Sequence, residues 1–237
     1  FEVKFLLPED LAREVERRAS VGLSLDPNTD PALGNAYRTT TLYCDTPEYH
    51  VFLGVGVGKR RKHRIRRYGL SPLAFLERKT KKGTEVRKRR SAVPLEELTR
   101  VAGPVHDPDW PGYWFCERLV KHDLRPVCRV SYDRTAYTGD TADGPLRLTF
   151  DRRLRGALAY GWDLSPVDGT DLLSGAVIVE FKFQAVLPAT ARRIVEDLQL
   201  TPGGASKYRR FLSGTGLVPP PTPQPLPGYA VSSEPPR

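Results

Sequence analysis

The chain has 237 residues, with 37 Lys and Arg against 28 Asp and Glu, a formal charge of +9 and a hydrophobic fraction of 39%. No run approaches the ~20 apolar residues that a spanning helix needs, so the composition is that of a globular protein with enough length for its own core. The charge is concentrated: residues 59–90 carry 15 Lys and Arg and only two acids, Glu77 and Glu85, and the rest of the chain is net acidic. A single intensely basic strip argues for a specific anionic partner rather than general adhesion.

The elements follow in chain order. The chain opens on FEVKFLLP, which reads as a strand over 1–7 and not as a signal peptide. With no methionine, not even an initiator, the expected natural N-terminus is upstream of Phe1 or was trimmed. Pro8, Glu9 and Asp10 suit the first turn of a helix over 8–20, with Leu7, Leu11 and Val15 on one side. Further strands are expected over 36–44, 59–68, 74–81, 84–93, 127–137, 145–151 and 176–184, and further helices over 94–102, 112–123, 188–199 and 205–213. In VIVEFKF, Val177, Val179, Phe181 and Phe183 share one face and Ile178, Glu180 and Lys182 the other. LRLTFD divides in the same way, with Arg147, Thr149 and Asp151 opposite Leu146, Leu148 and Phe150. One apolar and one charged face per strand is the pattern of an antiparallel sheet under a layer of helices. Residues 218–237 hold eight of the 22 prolines and read as a disordered or polyproline-like tail behind a single domain spanning 1–217. The three cysteines, Cys44, Cys116 and Cys128, show no CxxC spacing and no disulfide framework, which fits a reducing, cytoplasmic setting.

Alternation sorts the charges. Arg60, Lys62, Arg64 and Arg66 share one face of their strand. Glu77, Lys79 and Lys81 share a face of the next, and Val86, Lys88 and Arg90 a face of the one after, beyond a Lys82-Gly83 turn. Like charges aligned across strands destabilise a sheet. Such a face either lies in water, guarding an edge against aggregation, or lines a polar interior that an anion bridges. Recurrence of charge on the other strands, at Glu2, Lys4, Arg147, Asp151, Glu180 and Lys182, favours the interior. Acids scattered among the bases suit a divalent metal shared between carboxylate and phosphate oxygens. GVGVG at 54–58 lacks the GK[ST] of a phosphate-cradling loop. Only Tyr68 and Phe75 interleave the basic strip, too few aromatics for a nucleic-acid binder. The four histidines are scattered, which leaves no Ser–His arrangement.

At FEVKF (1–5), LYCDTPEY (42–49), RKHRIRRYG (61–69), FLERKTKKG (75–83), VRKRR (86–90), SYDRTAY (131–137), LRLTFDRRLR (146–155), VIVEFKF (177–183) and SKYRRF (206–211), the sequence resembles the VTC domain, a polyphosphate polymerase domain of the triphosphate tunnel enzymes. The resemblance implies an α+β fold with an eight-stranded antiparallel barrel, the triphosphate tunnel, and helices packed outside. It implies Arg64, Arg66, Lys79, Lys88, Arg134 and Arg147 as catalytic phosphate-gripping residues. Lys4, Lys62, Tyr132, Lys182, Ser206 and Lys207 are the expected substrate-binding residues. Glu180 is the expected metal-holding carboxylate, with Glu2, Glu77 and Asp151 as helpers. Alternation alone does not select Arg134, and Lys207 falls in a helical segment. Cys44 stands where the family has an aromatic. The implied reaction is polyphosphate synthesis from ATP with Mn²⁺ or Mg²⁺. The alternatives are an inorganic or nucleoside triphosphatase and a non-catalytic polyphosphate-binding module. The implied partners are ATP or another triphosphate and polyphosphate, with no nucleic acid, no membrane segment in this chain, and room for a membrane or kinase partner protein.

Overall fold

The computed structural model describes residues 1–82, 85–104, 106–204 and 206–217. The proline-rich tail and Gly83 of the expected turn lie outside the described residues. Strands β1 (Glu2–Pro8), β3 (Tyr37–Asp45), β4 (Arg61–Tyr68), β5 (Leu73–Lys82), β6 (Glu85–Pro94), β7 (Arg125–Thr141), β8 (Gly144–Leu158) and β10 (Ala176–Phe183) are the eight that the alternation predicts. Two-residue strands β2 (Ser24–Leu25) and β9 (Thr170–Asp171) are added. Helices α1 (Glu9–Ala19), α3 (Tyr113–Lys121), α4 (Ala189–Asp197) and α5 (Lys207–Thr215) match expected segments, the segment expected as a helix over 94–102 is a 3-10 helix at Leu95–Ala102, and a short α2 (His50–Leu53) was not foreseen.

All ladders are antiparallel, in the order β1-β10-β8-β7-β3-β4-β5-β6, with β2 on β7 and β9 on β8. The closed barrel is therefore corrected to an open sheet. Among the described residues no ladder joins β1 to β6. The sheet curls nonetheless. β1 and β5 are six spacings apart, roughly 29 Å in a flat sheet, yet Lys79 Nζ on β5 donates to Glu2 Oε1 on β1 at 2.7 Å. Side chains, not backbone ladders, bring the two margins together.

β7 and β8 run longer than expected because a bulge hides the continuation. The register shifts between Ser131 and Asp133, and Arg153 absorbs the extra residue in the left-handed region at φ 50°. Alternation breaks there in sequence, while the ladder resumes beyond it.

The convex face carries two apolar layers. Phe5, Leu7, Phe150, Val177, Val179 and Phe181 pack under α1 and α4. Leu42, Ile65 and Leu76 pack against Trp114, Phe115 and Leu119 of α3. A third layer lies on the concave face, where Tyr43, Val130, Tyr132 and Ile178 meet Tyr208, Phe211 and Leu212 of α5. Gly156 permits that approach, since a Cβ there would lie 2.4 Å from the Phe211 ring. α5 thus fills one part of the concave surface and leaves the charged part open.

Asp45, fully buried at the end of β3, holds this corner. Its carboxylate accepts from the backbone N–H of Thr46 and Val51 at 2.7 Å, from Phe52 N–H at 2.9 Å and from Tyr208 Oη at 2.5 Å. One side chain ties β3, α2 and α5 together. We expect Asp45→Ala to cost about 4 kcal/mol, because it strands several buried donors, and Tyr208→Phe about 2 kcal/mol, because it removes one bond to a charged group. Urea denaturation checks both, and equal losses in the two variants would contradict the assignment.

Candidate phosphate-binding tunnel

Cross-strand register builds the site. Arg64 lies opposite Tyr43 and Glu77, Glu77 opposite Arg90, and Lys79 opposite both Lys62 and Lys88. Arg134 lies opposite Tyr37 and Asp151, Lys182 opposite Arg147 and Glu2, and Lys4 opposite Glu180. Partners in register share a face, so these side chains all point to the concave side.

They enclose a cavity of about 290 Å³ lined by nine cations: Lys4, Lys62, Arg64, Arg66, Lys79, Lys88, Arg134, Lys182 and Lys207. Among the described residues Glu2 and Glu180 are its only carboxylates, and Tyr43, Tyr132 and Ser206 complete the wall. Through Arg66, Arg134 and Lys182 it continues into a wider mouth of about 1010 Å³ that holds Arg147, Arg90, Asp26, Tyr37, Tyr68 and Phe75. Thirteen of the sixteen expected site residues therefore line the narrow cavity, and Arg147 lines the mouth.

Glu77 and Asp151 do not line it. Both are buried beneath it as counterions. Glu77 receives Arg64 Nε at 2.7 Å, Lys88 Nζ at 2.6 Å and Arg90 Nε at 3.5 Å. Asp151 receives Arg134 through Nε at 2.6 Å and Nη2 at 2.7 Å, and Lys207 Nζ at 2.5 Å. Burial pushes both carboxyls upward, but the adjoining cations outweigh it and hold each at about 2. Their oxygens are occupied by protein cations, and neither carboxylate reaches the cavity wall where they are expected as metal helpers.

Glu2 and Glu180 stand differently. Lys4 Nζ sits between them, 2.9 Å from Glu2 and 3.6 Å from Glu180, and Lys182 Nζ lies 2.7 Å from Glu180. Both carboxyls are held low against the opposing effect of burial, Glu2 by hydrogen bonds from Lys79 and Lys4 and Glu180 by the charges of Lys182 and Lys4. Among the described residues no three His, Cys, Asp or Glu side chains cluster as a self-sufficient metal site. Two carboxylates already converging on one cation do fit an ion of the Mg²⁺ kind, which keeps several waters and takes its other oxygens from substrate phosphate.

Two lining cations lack a carboxylate among the described residues. Arg66, buried, donates to Thr41 Oγ1 at 3.1 Å and Tyr68 Oη at 3.4 Å. Lys62 Nζ donates to Ser206 Oγ at 3.1 Å. Burial and the nearby charges of Arg209, Lys79, Lys4 and Arg64 bring Lys62 down to about 8. Tyr132, also fully buried, has no partner for its hydroxyl. Lys207 Nζ lies 4.5 Å from its ring centroid, and the Arg134 guanidinium lies 5.3 Å from it. Arg134 reaches the cavity because Tyr132 shares its face, a placement that an apolar neighbour obscures in sequence. Lys207 arrives from the start of α5, where Ser206 caps the helix by accepting from Arg209 N–H. Residues not foreseen are Tyr43, Tyr37 and Asp26, which carried no charge pattern, and Arg90, which alternation had already placed beside Lys88.

The concave face of this curled antiparallel sheet is thus a cationic channel over buried carboxylates. The chain belongs to the VTC domain family, which matches residues 1–213. No curated protein matches it. Among solved structures it is similar to a Bacillus halodurans protein provisionally named an adenylate cyclase, with a TM-score of 0.54, 12% identity and coverage of 86% of this chain and 92% of that one. It is also similar to a Hippeastrum protein provisionally named an adenylyl cyclase and described as having a dominant triphosphatase activity, with a TM-score of 0.50, 15% identity and coverage of 90% and 95%. At these identities the likeness is one of fold. No helix among the described residues is long and apolar enough to cross a membrane.

The depressed carboxyl of Asp151 fixes a sign. A group held below its unfolded value contributes stability above that value and loses it as pH falls through the folded one. We expect its contribution to be complete above about pH 4 and to disappear towards pH 2. Asp151→Asn leaves Arg134 and Lys207 without a buried counterion, an expected loss of about 3–5 kcal/mol at neutral pH. Denaturation at pH 7 and at a series of acid pH values checks this. The wild type and the variant should converge as pH falls, and a constant gap would refute the assignment.

Proposed function

We propose that the tunnel transfers phosphoryl groups of a triphosphate, and that its reaction is polyphosphate synthesis from ATP. The observation that carries this reading is the lining itself: nine cations converge on one narrow cavity, and Arg66 and Lys62 lack a carboxylate there. Holding cations that close together costs energy without an anion. A linear chain of phosphates supplies charge all along the cavity. Arg64, Arg66 and Arg134 offer planar guanidinium groups suited to two phosphate oxygens at once, while Lys79, Lys88 and Lys207 act as compact charges. Arg64, Lys88, Arg134 and Lys207 are braced by Glu77 or Asp151, so their positions are set before substrate arrives.

The wide mouth favours a nucleoside triphosphate over an inorganic one. Tyr37, Tyr68 and Phe75 form an aromatic wall there, with ring centroids 6.0 and 5.4 Å apart in succession. A base packs against the edge of that wall, whose Phe75 face is taken by the Arg90 guanidinium at 3.7 Å, while its phosphates run past Arg66 and Arg134 into the narrow part. The terminal oxygen of a polyphosphate then attacks the γ-phosphorus, the bond from phosphorus to the β–γ bridging oxygen breaks, and ADP leaves with that electron pair. The attacking oxygen is already anionic, so no general base is needed. The histidine on the strip is not a candidate, because His63 faces the convex side against Phe115 and is held neutral down to about 3 by burial and by the charge of Arg78. A bound Mn²⁺ or Mg²⁺ would add charge neutralisation at the phosphate oxygens, with Glu180 and Glu2 as the residues that hold it.

The test is incubation of the purified chain with ATP and Mn²⁺, with polyphosphate and free phosphate assayed separately. Polyphosphate is the expected product, and free phosphate alone would make the protein a triphosphatase. Arg66→Ala should lower turnover by about 100-fold, the scale of one preorganised transition-state contact. Glu180→Gln should raise the Mn²⁺ concentration needed for half-maximal rate, and an unchanged Mn²⁺ dependence would remove Glu180 from the metal assignment.

A further inference from the structure

The convex side of the same strands carries a second cationic surface, outside the tunnel. His63, Arg78 and Arg89 are in register across β4, β5 and β6, and Arg61 lies two residues before His63 on the same face. The last turn of α3 adds Arg118, followed by His122. These groups are close enough to act on one another. Beyond burial, the influences that lower Arg78 are the charges of Arg118, Arg89 and Arg61, and those that lower His122 include Arg61, Arg118 and Arg78. Among the described residues no carboxylate lies within ion-pair distance of Arg61, Arg78, Arg89 or Arg118. Arg118 Nε is buried and has no hydrogen-bond partner. Elsewhere on this molecule some exposed arginines are paired, as Arg13 is with Glu9 and Arg17 with Glu14, and others, such as Arg192 and Arg193, have no carboxylate within ion-pair distance among the described residues, so it is the clustering of arginines that sets this face apart. A solvated face has no reason to exclude acids so completely, and a guanidinium donor left without an acceptor calls for one.

The patch adjoins the tunnel. β6 ends the sheet, and along it Lys88 and Arg90 point inward while Arg89 points outward. An anionic chain that passes the margin between β6 and β1 therefore moves from Lys88 to Arg89 around the width of one strand. We propose that Arg61, Arg78, Arg89 and Arg118 form an outer track that binds the portion of a long polyphosphate chain lying beyond the tunnel, an assignment that rests on the polyphosphate reading above. Bare phosphate suits this surface better than nucleic acid does. The aromatic ring at the patch, Trp114, is buried, with the guanidinium of Arg89 4.4 Å and that of Arg78 5.9 Å from its centroid, which leaves no open face for a base to stack on.

The experiment compares the full chain with Arg61→Ser/Arg78→Gln/Arg89→Ser, measuring affinity for tripolyphosphate and for long-chain polyphosphate across a salt series. Tripolyphosphate fits within the tunnel, so its affinity should be unchanged, which also verifies folding. Affinity for the long chain should fall about tenfold, the sum of three exposed contacts. Its salt dependence should lose a slope of about two. Because Arg78 and Arg89 cover Trp114, the second variant Arg61→Ser/Arg89→Lys keeps charge over the ring and should show a smaller loss of the same selectivity. Equal affinities for the long chain in wild type and triple variant would overturn the proposal. So would parallel losses for both ligands, or a loss confined to single-stranded DNA or to anionic vesicles. If the wild type makes no polyphosphate but the variant still loses long-chain binding, the catalytic reading fails and the track stands. If polyphosphate is made and the variant binds the long chain normally, the reverse holds.

Discussion

The structure depends on one electrostatic constraint: eight lysine and arginine side chains share the inner face of one curled sheet, and Lys207 of α5 joins them as a ninth. Left alone, such a face would be expelled to solvent or would flatten the sheet to separate its charges. Two buried carboxylates prevent this. Glu77, on β5, gathers Arg64 from β4 and Lys88 and Arg90 from β6, and Asp151 gathers Arg134 from β7 and Lys207 from α5. Each acid therefore joins elements as well as charges. Glu2 does the same at the margin, where its bond to Lys79 draws the two ends of the sheet together without a ladder.

The counterions are also unevenly placed, and that unevenness gives the cavity its direction. Carboxylates lie beneath Arg64 of β4 and Arg134 of β7 and beside Lys4, while Arg66 and Lys62 have only hydroxyl partners. An incoming anion meets its least compensated charge at those two residues. The low proton affinities of Glu77 and Asp151 keep the braces ionised throughout the neutral and mildly acidic range. The positions of the gripping cations are consequently insensitive to pH there, as a site relying on preorganised charge requires.

Most of this was legible because a strand displays its two faces with a period of two. Alternation alone placed Lys62, Arg64, Arg66, Lys79 and Lys88 on one surface, and Glu180 and Lys182 on its continuation. It failed where periodicity is interrupted or does not apply. The bulge at Arg153 concealed half of β8. Tyr132 disguised the direction of Arg134, since a buried aromatic beside an arginine reads as a core face. Lys207 enters from a helix end, and only the packing of α5 on the concave surface brings it to Asp151. The difference between Glu77, buried beneath three cations, and Glu180, on the wall of the cavity, was beyond sequence, because the two have the same pattern and differ only in what stands around them.

The same period explains how one basic strip can serve two surfaces. Every second residue of β4, β5 and β6 faces inward, so the cations between them must face outward, whatever they do there. Inside, acids from β1, β5, β8 and β10 come within reach and offset part of the charge. Outside, α3 covers the sheet with Trp114, Phe115 and Leu119 and ends in Arg118, Lys121 and His122. A helix ending in cations is locally favourable, since its C-terminus carries partial negative charge, but that effect is confined to its last turn and leaves Arg61 and Arg89 uncompensated. The convex charge is thus not a by-product of building the concave one. Neutral residues at 61, 78 and 89 would leave the inner register untouched, so the arginines at those positions add something that the tunnel's own geometry does not require.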